Sequence, residues 1–188
     1  MNWTGFWLIL IQHQRAAESI DASPPYTIVD CSGAHPQLRR ASQRNLKDAQ
    51  ALIVHAIDEA VKKSNGVLPK SRRNSMRIFY WATAATIKLL NAWRGRRHFT
   101  LGLDILETLV LAATREQAEL TFEEFVDDWL YGKCRLVVGR RAAERSGLLR
   151  SFDASIFEDN ENHLAIQMEA AGLLTQYSDA TRMVSTGG

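Results

Sequence analysis

Six basic side chains, Lys133, Arg135, Arg140, Arg141, Arg145 and Arg150, fall within a stretch of eighteen positions in which Glu144 is the only acid. Arginine grips guanine O6/N7 in bidentate fashion and phosphate generally, so a helix carrying this set has the chemistry of DNA readout. Lys133 and Arg135 would sit at its N-terminal end, where base contact is usual, with Arg141 and Arg145 on phosphates. The plainer alternative is an exposed basic helix paired with the acidic stretch 116–128. A second basic run, Trp93-Arg94-Gly95-Arg96-Arg97-His98, can clamp phosphates through Arg94, Arg96 and Arg97, or complement the dipole of a helix C-terminus.

Other residue types offer less. Phe79, Tyr80, Trp81 and Trp93 are either ordinary core or the wall of a pocket for a small-molecule effector. Cys134, flanked by Lys133 and Arg135, is either an activated thiol or a small packed side chain. The five histidines (His13, His35, His55, His98 and His163) have no ligand spacing with one another or with cysteine, so no metal is expected. GxSxG, P-loop and GxGxxG patterns are missing, and the adjacent Asp127-Asp128 point to different sides of a helix. Neither enzymatic activity nor a cofactor is expected.

Positioning these groups falls to a chain of 188 residues, 46% hydrophobic and 23% charged, long enough to bury a core without a metal or disulfide. Its formal net charge of +2 conceals alternating blocks. Between Ala60 and Leu103 stand ten Lys/Arg and no acid, and Asp104–Asp128 holds eight acids against Arg115. The basic stretch 133–150 follows, and Asp153–Glu169 then carries five acids with no Lys or Arg. Any nucleic-acid binding must therefore come from local patches. Cys31 and Cys134 lie far apart and read as reduced thiols in a cytoplasmic protein. The apolar run Met1–Ile11 stops at Gln12-His13-Gln14-Arg15, about half the length of a membrane span, so no membrane partner is expected.

Hydrophobic spacing predicts helices from Leu38 to a stop at Asn65-Gly66, from about Asn74 to Trp93, and from Leu103 through Ala113. Thr121 N-caps a helix over about 122–131, and another runs from Cys134 to Ser146 with Gly147 as its C-cap. Leu148–Ile156 and His163–Met168 read as two strands joined by Glu158-Asp159-Asn160-Glu161-Asn162, and a last helix covers Glu169–Met183. The order predicts a mostly α protein: a winged helix-turn-helix with a small β-hairpin wing and N-terminal dimerisation helices. Helix 122–131 would brace, 134–146 read and 148–168 form the wing. Residues 1–37 read as a loosely structured arm, 38–100 as a helical dimerisation region and 101–188 as the winged-helix domain.

Over residues 75–184 the sequence resembles the MarR family of winged-helix transcription regulators. The matching residues are Leu103-Asp104-Ile105-Leu106, Leu120-Thr121 before the brace, and Gly147-Leu148-Leu149 after the reader. Met168-Glu169-Ala170-Ala171-Gly172-Leu173-Leu174 followed by Tyr177 is similar to the family's helix after the wing. The resemblance implies a homodimer on double-stranded DNA, with a small-molecule effector common in the family. At the wing tip the family's basic residues are replaced by Glu158-Asp159-Asn160-Glu161-Asn162. The sequence therefore supports two expectations: a homodimeric, sequence-specific DNA-binding transcription regulator, or a helical protein–protein interaction module on a winged-helix scaffold without DNA binding.

Overall fold

The computed structural model describes residues 2–116, 120–178 and 181–185. The protein is mostly helical, with a small three-stranded antiparallel sheet. The N-terminal half holds α1 (Asn2–Glu18), β1 (Thr27–Ile28), α2 (Pro36–Lys63) and α3 (Lys70–Thr86). After a loop pinned by a Leu90–Phe99 bridge comes α4 (Leu103–Glu116). The rest comprises β2 (Leu120–Thr121), α5 (Phe122–Glu124) continuing as a π-helix (Phe125–Lys133), β3 (Leu136–Val137) and α6 (Arg140–Arg145). A 3₁₀ turn (Leu148–Arg150), α7 (Ala154–Ala170) and the hairpin β4 (Leu174–Ser178) and β5 (Thr181–Val184) follow.

Local chemistry explains most boundaries. Pro36 occupies the first turn of α2, where its missing N–H costs nothing, and Asn65 at φ 56° followed by Gly66 ends the helix. Thr121 and Glu124 form a capping box: Glu124 N–H donates to Thr121 Oγ1 at 3.2 Å, and Thr121 N–H donates back to Glu124 Oε2 at 2.8 Å. The helix then widens, its last bond running from Cys134 N–H to Trp129 O, an i→i+5 step. Gly147 closes α6 at φ 76°.

The N-terminal segment is not a loose arm. Phe6, Ile9, Ala16 and Ala17 of α1 are buried, and the helix packs on α2, α3 and α4. Its apolar residues recur every three or four positions, so one face seals the bundle while Trp3, Trp7 and Leu8 stay exposed. Further on, β1 lies parallel to β3, with Thr27 opposite Leu136 and Ile28 opposite Val137. A single buried cluster runs from Phe6 through Leu46, Tyr80, Leu106, Phe122 and Leu164 to Val184, so residue 100 marks no break in the core.

Several expected elements differ. The second helix ends at Thr86 rather than Trp93. No helix spans 134–146: Arg135 has φ 56°, residues 136–137 are extended, and Gly139 precedes a six-residue α6. A Cβ on Gly139 would fall 2.1 Å from Glu161 Oε2, so any larger residue there would displace that carboxylate of α7. The expected strands at 148–156 and 163–168 are a 3₁₀ turn and α7, and the acidic "tip" 158–162 lies inside that helix. The expected last helix is instead the β4–β5 hairpin, whose β5 also pairs with β2 in the order β2-β5-β4. Ala180, expected in that helix, lies outside the described residues. Gly172 at φ 70° breaks the chain after α7, and Leu174–Gln176 then pair in antiparallel register with Arg182–Val184.

Candidate nucleic-acid interface

The basic stretch 133–150 does not form one reading surface. Arg135 turns inward: its guanidinium lies 4.2 Å from the Tyr26 ring centroid and donates to the carbonyls of Pro24 and Pro25. Tyr26 stacks on Tyr131 at 4.8 Å and 8°, and Arg145 covers the far face of that pair at 4.6 Å. The four groups form a cation–ring–ring–cation sandwich that ties β1 to the π-helix and α6. Arg140 is held by Glu158 at 2.6 Å and Arg141 by Asp127 at 3.1 Å. Lys133 sits 4.8 Å over Trp129, and Arg150 is exposed at the 3₁₀ turn. Arg141 thus pairs with the acidic stretch 116–128, whereas Arg140 pairs with α7 instead.

Cys134 is buried with its thiol pushed up to about 12 by burial, against a smaller opposing pull from Lys133. It packs at the end of the π-helix, with no helix N-terminus to activate it. The expected aromatic quartet is also split. Phe79 and Tyr80 line a cleft of about 740 Å³ between α1, α2 and α3, whereas Trp81 faces a different cleft and Trp93 is 55% exposed on the following loop. Buried Tyr80 hydrogen-bonds His13 at 2.8 Å.

Cations gather on another surface, between the first half of α2 and the loop that joins α3 to α4. One cleft, of about 390 Å³, is lined by Arg39, Arg40, Gln43, Asn91, Arg96 and His98, with Pro36 at its edge. A second, of about 310 Å³, shares Gln43 and Arg96 and adds Lys47, Trp81 and Arg97 among others. Together they make a continuous groove with no acidic side chain among the described lining residues. From Pro36 to Gln50 at 1.5 Å per residue, its α2 wall is ~21 Å long. Arg97 is braced, lying 4.4 Å over the Trp81 ring with its guanidinium bonded to Trp93 O. Arg40 and Arg96 make no ion pair among the described residues.

The groove has a rigid floor. Ser42 Oγ accepts from Phe99 N–H at 2.9 Å, and Asp30 N–H donates to Phe99 O at 3.0 Å, fixing the loop to α2 and to the segment after β1. Asp30, fully buried, accepts from Gly33 N–H at 2.7 Å through Oδ1. Its Oδ2 faces Arg39 Nε at 3.6 Å and His98 Nε2 at 3.7 Å. Burial holds the His98 imidazole below its usual value; Asp30 opposes this and Arg39 reinforces it. Behind them Asn160 of α7 is fully buried, donating to Val29 O and Val138 O while accepting from Cys31 N–H at 2.8 Å.

Arg96 and Arg97 were expected to contact phosphate, and the structure places them in this groove, with Arg94 exposed on the same loop. Arg39, Arg40, Lys47 and the Asp30–His98 pair were not singled out. The signal for the α2 residues is present: Pro36, Arg39/Arg40, Gln43 and Lys47 recur at three- and four-residue steps, one stripe of a helix. Among the described residues no three His, Cys, Asp or Glu side chains converge as a metal would require, and no helix is long and apolar enough to cross a membrane. No family model, curated protein or solved structure matches the chain.

Proposed function

We propose that this protein binds double-stranded DNA through its backbone phosphates, using the α2–loop groove, on a winged helix-turn-helix scaffold. The observation that carries the reading is the clustering of Arg39, Arg40, Lys47, Arg96 and Arg97 along two adjoining clefts with no acid among their described lining residues. Each phosphate neutralised by such a group releases counterions and adds salt-sensitive affinity. The scaffold reading rests on strand order. A helix, a short strand, further helices and a hairpin whose second strand pairs with the first strand follow the order expected of a winged helix, in which α7 would be the reader and β4–β5 the wing. Transcription regulation as a homodimer is part of the proposal. Exposed Leu8, Ile57, Ile78 and Phe79 on α1, α2 and α3 supply apolar surface that a second copy can cover.

One observation favours the second reading, a protein-interaction module without DNA binding. The reader position α7 carries Glu158, Asp159, Glu161 and Glu169, no Lys or Arg, and an exposed Ile166. A duplex would repel that helix, whereas a basic protein partner would not. Fluorescence anisotropy with a random-sequence duplex separates the readings. Wild type should bind at low salt, and the combined change Arg40→Ala, Lys47→Ala, Arg96→Ala should weaken binding at least tenfold while Arg140→Ala leaves it unchanged. Wild-type affinity no greater than that of the triple variant would reject the DNA-binding reading.

A further inference from the structure

The 390 Å³ cleft differs from the rest of the groove because buried polar groups stand at its floor. His98 lines it and is 8% exposed, with its Nδ1 shielded from solvent beside the Arg96 backbone. Asp30 Oδ2 and Arg39 Nε are orphaned beside it, each just beyond hydrogen-bond distance of the other. Arg40 of α2 and Arg96 of the loop both line it, together with Asn91.

We propose that this cleft is a discrete binding pocket for a phosphate monoester dianion. The charge count fits: Arg39, Arg40 and Arg96 against Asp30 leave two positive charges with His98 neutral. Arginine presents planar, paired donors that match phosphate oxygens, and a dianion bound beside the imidazole raises its proton affinity. Asp30 acts as a positioning residue. Its carboxylate faces Nε2 of His98 and Nε of Arg39, holding both groups at the floor. The inference deepens the nucleic-acid reading and rests on it for one source of the phosphate, the terminal phosphate of a strand; a free mononucleotide is the other. Occupancy of the pocket can be measured without either assumption.

The test follows the His98 imidazole by NMR in the full chain, assigned by comparison with His98→Gln. Inorganic phosphate and a nucleoside 5′-monophosphate should each shift the His98 signals saturably and raise its apparent pKa, while the unphosphorylated nucleoside and chloride at matched ionic strength should not. Arg40→Ala with Arg96→Ala should weaken phosphate binding at least tenfold with an unchanged melting temperature, and the paired lysine substitutions should restore part of it. Arg94→Ala, on the same loop but outside the cleft, should have no effect. A shift that chloride reproduces, or that survives loss of both arginines, overturns the proposal. Duplex binding without a saturable phosphate shift would overturn this inference alone and leave the groove reading standing. Once a saturable shift is seen, tighter binding of a 5′-phosphorylated oligonucleotide than of its 5′-hydroxyl twin assigns the pocket to strand ends, and equal binding assigns it to mononucleotides.

Discussion

At the scale of single residues, two buried polar groups set much of the protein's specificity. Asn160 satisfies its amide with Val29 O, Val138 O, Cys31 N–H and Ser32 N–H, joining α7 to the strands β1 and β3. Asn160→Ala strands those four backbone groups, each costly to leave unpaired, and should lower stability by about 3 kcal/mol in urea unfolding. His13 is held neutral by burial, its pKa lowered to about 4. A histidine that resists protonation in the fold gives its full contribution above about pH 6.5. That contribution falls as pH drops toward 4, to a total loss of about 3 kcal/mol. Urea unfolding between pH 7 and 4 should show this decline, and His13→Gln should flatten it. Sequence alone could not separate Arg135 from Arg141. Both are exposed-looking arginines in one basic stretch, and only the return of Pro24–Tyr26 from over a hundred positions away turns Arg135 inward.

At the scale of elements, legibility followed locality. The α2 stop at Asn65-Gly66, the Thr121 cap and the Gly147 terminus rest on neighbours within a few positions, and each stands where the sequence puts it. No reader helix forms because 135–137 pairs with residues 27–29, a long-range parallel strand contact that leaves no local trace. That pairing takes Leu136 and Val137 out of any helix, so the following elements shift along the chain and the hairpin falls at 174–184. Residues 1–37 misled for a similar reason: Ser23-Pro24-Pro25 and Gly33 do break regular structure, but between them lies a strand, and before them a core helix. A loosely structured arm could be removed without unfolding the rest. Instead, deletion of residues 1–37 removes Phe6, Ile9 and Val29 from the core, and losses of buried side chains this large cost several kcal/mol each. The truncated chain should lose its cooperative thermal transition by circular dichroism; a truncated chain that still melts cooperatively near the full-length temperature would contradict this packing.

At the scale of the whole molecule, charge is arranged by face rather than by sequence block. The acids of 153–169 are carried on α7, partly neutralised by Arg140, while the cations of α2 and the 91–98 loop meet across a groove that no single stretch of sequence contains. The measurement that bears most directly on the proposed DNA contact is the dependence of duplex affinity on salt. Each phosphate contact contributes a slope of about 0.9 in log affinity against log salt. Replacing Arg40 and Arg96 with alanine should flatten the slope by about two units, whereas replacing Arg141 and Arg145 should leave it as in wild type. Should the Arg141 and Arg145 changes flatten the slope and the groove changes leave it intact, the duplex lies across α6 and the groove is not the interface.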